Sequence, residues 1–327
     1  MEAPFQVPQP SIESGEQHGL FGESEGSASS SDSGVDPTEF GKVNLKGDPI
    51  LTEQHMQQLG FTKSLESDDP LEVIKQVRAQ VRELRAKGQV FPLRSTQQIY
   101  QTLCDSLHIA PVAIFNHMTQ HELKLESYPL NETQTKPISF ILPFLKDVKS
   151  VKMADCNLTD AAAALVVASV LGNSATKVLD LRGIEMGKTF IASLEKAIET
   201  DPGCLEELAL EGLRPQISIS NLINTLRPTN CLAYFDLQKN SLSEAVALDI
   251  GDFVQHSRTL EYLNLSSCGL RRKASEHVIN GLMKNRSIKY LNLNANSLSS
   301  SDHLLAAKAG RMLQGHPRLL HVNLSHC

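Results

Sequence analysis

The run Leu260 to Leu270, Leu-Glu-Tyr-Leu-Asn-Leu-Ser-Ser-Cys-Gly-Leu, fits the pattern L-x-x-L-x-L-x-x-N/C-x-L without a mismatch. Its positions return 28 residues earlier, at Leu232, Phe235, Leu237, Asn240 and Leu242, and 28 later, at Ile288, Leu291, Leu293, Asn296 and Leu298. With the first apolar position as register, copies start at Val148, Thr176, Leu205, Leu232, Leu260, Ile288 and Leu319, spaced 28, 29, 27, 28, 28 and 31 residues apart. A degraded eighth copy starts at Gln120 and keeps Leu123, Leu125 and Leu130. Its polar first position suits a terminal unit, which lacks one neighbour to bury against.

Each copy is incomplete alone. Pairs such as Leu179 and Leu181, or Leu263 and Leu265, alternate as in a strand, and their apolar sides close only against the next copy. The ninth position (Cys156, Asn240, Cys268, Asn296, Cys327) asks for a small side chain that hydrogen-bonds the backbone where the strand turns away. Ile184 and Leu213 break that ladder, which predicts a different turn in those two copies. Between strands the spacers hold helices. Thr159 and Asp160 cap Ala161–Leu171, and the plan recurs at Gly187–Glu199, Ser243–His256 and Arg271–Lys284.

The 28-residue strand-plus-helix unit, with its turn Cys-x-Leu-Thr-Asp-x-x-Ala at Cys156, resembles the ribonuclease-inhibitor type of leucine-rich repeat. The resemblance covers about two thirds of the chain and implies an α/β solenoid: a curved horseshoe with parallel strands on the concave face, helices on the convex face, and a helical N-terminal cap. It says little of activity, because function lives in sites placed on a fold. Three regions follow: a Ser/Gly/Glu-rich tail over 1–47, a helical region and cap over 48–119, and about eight repeats over 120–327.

The tail interleaves Ser24, Ser27 and Ser29 with acidic residues and is too poor in apolar side chains to order itself, so disorder is expected. Asp69-Pro70-Leu71-Glu72 starts a helix to about Lys87, with an apolar stripe (Leu71, Ile74, Val77, Val81, Leu84) and a basic flank; it either packs on the solenoid or docks on a partner. A second helix spans about Ser95 to Leu107, followed by a short one through Met118, and would cover the first repeat's apolar edge. At the other end, Cys327 sits on the ninth position of a strand with no capping unit after it.

A net charge of -6 and a pI near 6.0 argue against general nucleic-acid binding. The most apolar run, Ala161–Leu171, is far shorter than a membrane span, and no secretory signal is visible. The six cysteines show no C-x-x-C spacing and three occupy the ninth position, so packing explains them better than disulfides or zinc. Five sequons, at Asn131, Asn157, Asn264, Asn285 and Asn323, arise largely from the repeat consensus. These features suggest a cytoplasmic protein, with nuclear or cytoskeletal association left open.

No chemistry stands out. Gly183-Ile-Glu-Met-Gly187-Lys188-Thr189 is one residue short of a phosphate-binding loop, and His117-Met-Thr-Gln-His121 lacks the glutamate of a zinc protease. No catalytic residue, metal site or cofactor is expected. What remains is the surface. Outward position three reads Ser150, Val178, Glu207, Tyr234, Tyr262, Tyr290, His321, and position five reads Lys152, Asp180, Ala209, Asp236, Asn264, Asn292, Asn323. Tyr234, Tyr262 and Tyr290, with Asp180, Asp236, Asn264 and Asn292, form a candidate protein-docking strip.

The expectation is therefore a non-enzymatic interaction module or scaffold that holds a protein partner on the concave face. The alternative is a regulator of another enzyme or polymer: similar repeats occur in the activator of the Ran GTPase and in tropomodulin, which caps actin filaments. Arg182 is the one basic candidate for acting on a GTPase, and the chain lacks a long acidic segment after the repeats.

Overall fold

The computed structural model describes residues 97, 100, 101, 104, 105 and 108–327, apart from 143, 144, 146, 172–174, 201–204, 215, 216 and 298–302. All lie within one unit, Gly41–Cys327. The expected tail, the helix from Asp69 to Lys87 and most of the helix from Ser95 to Leu107 fall outside the described residues.

Eight strands, β1 (Glu122–Lys124), β2 (Ser150–Lys152), β3 (Val178–Leu181), β4 (Glu207–Leu210), β5 (Tyr234–Asp236), β6 (Tyr262–Asn264), β7 (Tyr290–Asn292) and β8 (His321–Asn323), form one sheet in sequential order. Every pairing is parallel, and Glu122, Ser150, Val178, Glu207, Tyr234, Tyr262, Tyr290 and His321 stand side by side. The eight copies read from the sequence are thus the eight rungs of the sheet. Seven helices alternate with the strands among the described residues: α1 (Glu132–Ile141), α2 (Asp160–Leu171), α3 (Lys188–Thr200), α4 (Ser220–Leu226), α5 (Glu244–His256), α6 (Arg272–Lys284) and α7 (His303–Gly315). This is an α/β solenoid of repeats.

The middle residue of each strand points between sheet and helices. Leu123, Val151, Leu179, Leu208, Phe235, Leu263 and Leu291 are buried, and with the helix interiors they join one continuous hydrophobic core. Complete burial of a side chain such as Phe235 contributes about 1.5–3 kcal/mol. Helix α2 is apolar nearly all round because α1 and α3 flank it. Helices α5 and α6 approach until their backbones touch: a Cβ on Gly281 would lie 2.1 Å from the Gly251 carbonyl oxygen, so glycine is required there.

At the first strand, Tyr100 and Cys104 are buried in the same core. The Tyr100 hydroxyl accepts the Val112 amide at 2.8 Å, and its ring meets Phe115 edge-on at 5.8 Å. These residues cover the apolar side of β1. The short helix expected before Met118 is a single 3-10 turn, Ile114–His117.

Candidate functional site

Parallel pairing in register puts side chains of one column about 4.8 Å apart, close to the thickness of two stacked rings. Tyr234 and Tyr262 stack with centroids 4.1 Å apart and planes at 8°. Tyr262 and Tyr290 are tilted at 36° with centroids 6.4 Å apart, and Tyr290 stacks on His321 at 5.0 Å and 4°. The three tyrosines are half-buried and the histidine is exposed. The aromatic strip therefore runs over four strands, one more than the tyrosine count suggests. Burial first, then the Asp236 carboxylate, pushes the Tyr234 and Tyr262 phenols above their ordinary range, so both remain neutral hydroxyls.

Position five has a structural duty. Asp180, Asp236, Asn264, Asn292 and Asn323 each accept the amide of the residue two further on, at 2.9–3.2 Å, an Asx turn that bends the chain off the strand. Asp180, Asp236 and Asn264 are buried, so of the proposed strip the tyrosines and Asn292 offer the accessible surface. Arg182 is closed on Asp180 by two hydrogen bonds, Nε–Oδ1 at 2.9 Å and Nη2–Oδ2 at 2.6 Å. The Tyr234 hydroxyl donates to Asp236 Oδ2 at 3.4 Å. Burial holds the Asp236 carboxyl above the usual range, against the Gln238 amide, Asn264 and Arg182, which favour its charged form.

Across β1–β4 the outward face is ionic. Lys152 pairs with Glu122 at 2.8 Å, Lys124 with Glu126 at 3.0 Å, and Lys239 reaches Glu211 at 2.8 Å. Glu207, beside Tyr234 in the column, is half-buried with no side-chain hydrogen bond or ion pair among the described residues; burial raises its pKa.

The turn ladder behaves as its residue types predict. Asn240 donates to the Leu210 and Leu237 carbonyls at 2.8 and 2.9 Å and accepts the Gly212 and Leu213 amides at 3.2 and 2.9 Å. Asn296 repeats this one rung pair on, with Leu265, Leu293, Cys268 and Leu270. The Cys268 thiol donates to Leu237 and the Cys327 thiol to Leu293, both at 3.0 Å, and the Cys156 thiol to Leu125. Burial pushes the thiols of Cys156 and Cys268 up to about 11 and about 12, which makes them inert donors. Where Ile184 and Leu213 replace the polar residue, the turn changes as expected: Met186 bridges Leu213 in parallel, and Gly212 sits at φ +107 against the Ile184 carbonyl.

One feature of the turn escapes the sequence. The eighth position is left-handed in every copy: Ser127, Asp155, Gly183, Gly212, Lys239, Ser267, Ala295 and His326 all have φ between 54 and 107. Only two are glycine, so residue type gives no ladder to read.

The phosphate-loop-like segment does bind an anion, but its own. The Asp160 carboxylate accepts the amides of Gly187 at 2.8 Å, Thr189 at 3.1 Å and Phe190 at 2.9 Å, capping α3 from the preceding repeat. Burial raises its pKa, but bonds from Phe190, Thr189 and Gly187 outweigh it and hold it below the usual range. Three amides at this helix start are therefore already taken by Asp160. His117 and His121 share no helix: His117 meets the Tyr128 ring at 5.6 Å, and His121 Nδ1 lies 3.0 Å from the Asp147 carbonyl.

Two expectations need correction or narrowing. Packing does not account for every cysteine, because Cys231 is disulfide-bonded; Cys104, Cys156, Cys268 and Cys327 are free, and Cys204 lies outside the described residues. Among the sequon asparagines, Asn264 and Asn285 are buried and Asn131 caps α1, so these belong to the fold. No helix of the described residues is long and apolar enough to cross a membrane. No protein-family model matches the chain, and no curated protein matches it either.

Proposed function

We propose that the chain is a non-enzymatic interaction module of the leucine-rich-repeat kind, binding a protein partner on the outward sheet face through Tyr234, Tyr262 and Tyr290, with Asn292 at the rim and Asp180, Asp236 and Asn264 holding the backbone beneath. The carrying observation is the run of aromatic rings in register over β5 to β8, two stacked pairs joined by a tilted contact between Tyr262 and Tyr290, with the tyrosines still half-exposed. Rings already stacked lose little side-chain entropy on contact, and each presents apolar area with a polar tip, the composition of an interface centre. Arg182, the one basic candidate for acting on a GTPase, is closed on Asp180, which favours the module reading over that alternative. A cytoplasmic location goes with this reading, supported by the four free cysteines, while the bonded Cys231 weighs against it.

The test compares the intact protein with a Tyr234→Ala, Tyr262→Ala, Tyr290→Ala variant in crosslinked capture from cell extract, after circular dichroism has shown equal folding. Loss of a discrete partner from the variant supports the strip. Identical partners with both would sink it.

A further inference from the structure

The charge pattern beside the aromatic strip specifies what kind of partner suits it. Each cation at an outward position of the sheet face, Lys124, Lys152 and Arg182, is already closed against a carboxylate of that face. Glu207 and Asp236 are left over. Asp236 is buried beneath the strip, where its carboxyl accepts the Tyr234 hydroxyl. Glu207 is the reachable one. It stands next to Tyr234 in the column, on the side away from the Tyr262 ring, so the end of the stack meets a half-buried, unpaired carboxylate.

We infer, resting on the docking reading above, that the partner presents a basic segment whose arginine or lysine seats between Glu207 and the outer face of Tyr234. The cations that act on this patch, Lys152 on Glu207 and Arg182 on Tyr234 and Asp236, are held by Glu122 and Asp180, so its carboxylates outnumber them. The ring offers its negative face, and Glu207 gains an ion pair that offsets its desolvation. An acidic segment would meet an excess of carboxylates, with Lys152 and Arg182 already held in ion pairs. Guanidinium is the better fit, because its plane stacks on a ring while its edge donates to a carboxylate. The rest of the segment would continue along Tyr262, Tyr290 and His321, where the face carries amides and rings rather than charge.

The experiment selects random twelve-residue display peptides on the full chain, then measures each winner against the intact protein, Glu207→Gln, and the triple tyrosine-to-alanine variant. Expected are winners rich in arginine or lysine that weaken with salt and lose about tenfold affinity on Glu207→Gln, the worth of one charge-assisted contact. Winners with no basic bias, basic winners indifferent to Glu207→Gln, or no winners at all would overturn the basic-segment inference and leave the docking strip standing. Winners that bind the tyrosine variant unchanged would overturn both.

Discussion

Strands β1–β4 and β5–β8 present the same register to the outside and fill it differently. The first group carries ion pairs closed among themselves and, at Ile184 and Leu213, two turns without the polar ninth residue. The second carries stacked and tilted rings over Asp236 and Asn264, and asparagine or cysteine closes its turns. The backbone pairs equally well in both. Position three is therefore free to vary because the fold rests on other positions: the apolar middle residue, the Asx turn at five and the polar donor at nine. On the proposed docking reading, specificity would lie on the column that the fold does not rest on.

That contrast is open to experiment, beginning where the effect is largest. Asn296→Ala removes a buried side chain that satisfies four backbone groups, and should cost about 3 kcal/mol in urea denaturation because those groups stay buried and unpaired. Ile184→Asn, in the half that solved its turn with apolar side chains, should also destabilise. A gain there would mean the two turns are interchangeable and the contrast is false.

Next comes the cap that joins two repeats in the first half. Asp160→Ala should cost about 1–2 kcal/mol at neutral pH. Because the folded carboxyl is held below its ordinary value, its contribution is complete above about pH 4 and is lost as pH falls through the folded value, so the variant should show a flatter acid limb. Equal acid limbs would show that the cap is unimportant.

The second half has its own titrating group. His316 stands where the previous repeat has Asn285, whose side chain bonds the Val254 and Ser257 carbonyls and the Ser287 and Ile288 amides. His316 is buried, its Nε2 has no hydrogen bond among the described residues, and burial, followed by Arg286, lowers its pKa. The folded state holds neutral imidazole while the unfolded chain takes up a proton, so stability should fall as pH drops below about 6.5. His316→Asn should add about 1 kcal/mol and remove that slope. An unchanged pH profile would rule out the imidazole as its source.

The smallest effect concerns the left-handed eighth position. Ala295→Gly should stabilise by about 0.5 kcal/mol, since relief of the strained φ of 54 slightly exceeds glycine's entropy cost. Gly183→Ala should do the reverse, because Gly183 has φ +67 and an added Cβ would also push aside the exposed Asp155 carboxylate. Thermal denaturation of both variants separates general backbone strain from local crowding.

The period of the apolar residues was sufficient to determine strand number, register and column membership: a repeat that cannot bury its own apolar side has to stack, and stacking copies in phase aligns equivalent positions. Asn240 and Cys268 could be read as turn-closers from chemistry alone, since a small polar group at that place has one use. The Gly251–Gly281 contact, the left-handed eighth position and the capping of α3 by Asp160 could not. They depend on atoms about one repeat apart in sequence or on a backbone angle that several residue types tolerate. Helix α1 starts on a local capping box, Asn131 with Gln134, that went unread. The sequence put Tyr234, Tyr262, Tyr290 and His321 in one column. Only the tertiary structure decided that the rings stack, that Asp236 lies beneath them and that Glu207 is left unpaired, because ring planes, burial and ion pairing are set by neighbouring side chains competing for the same space.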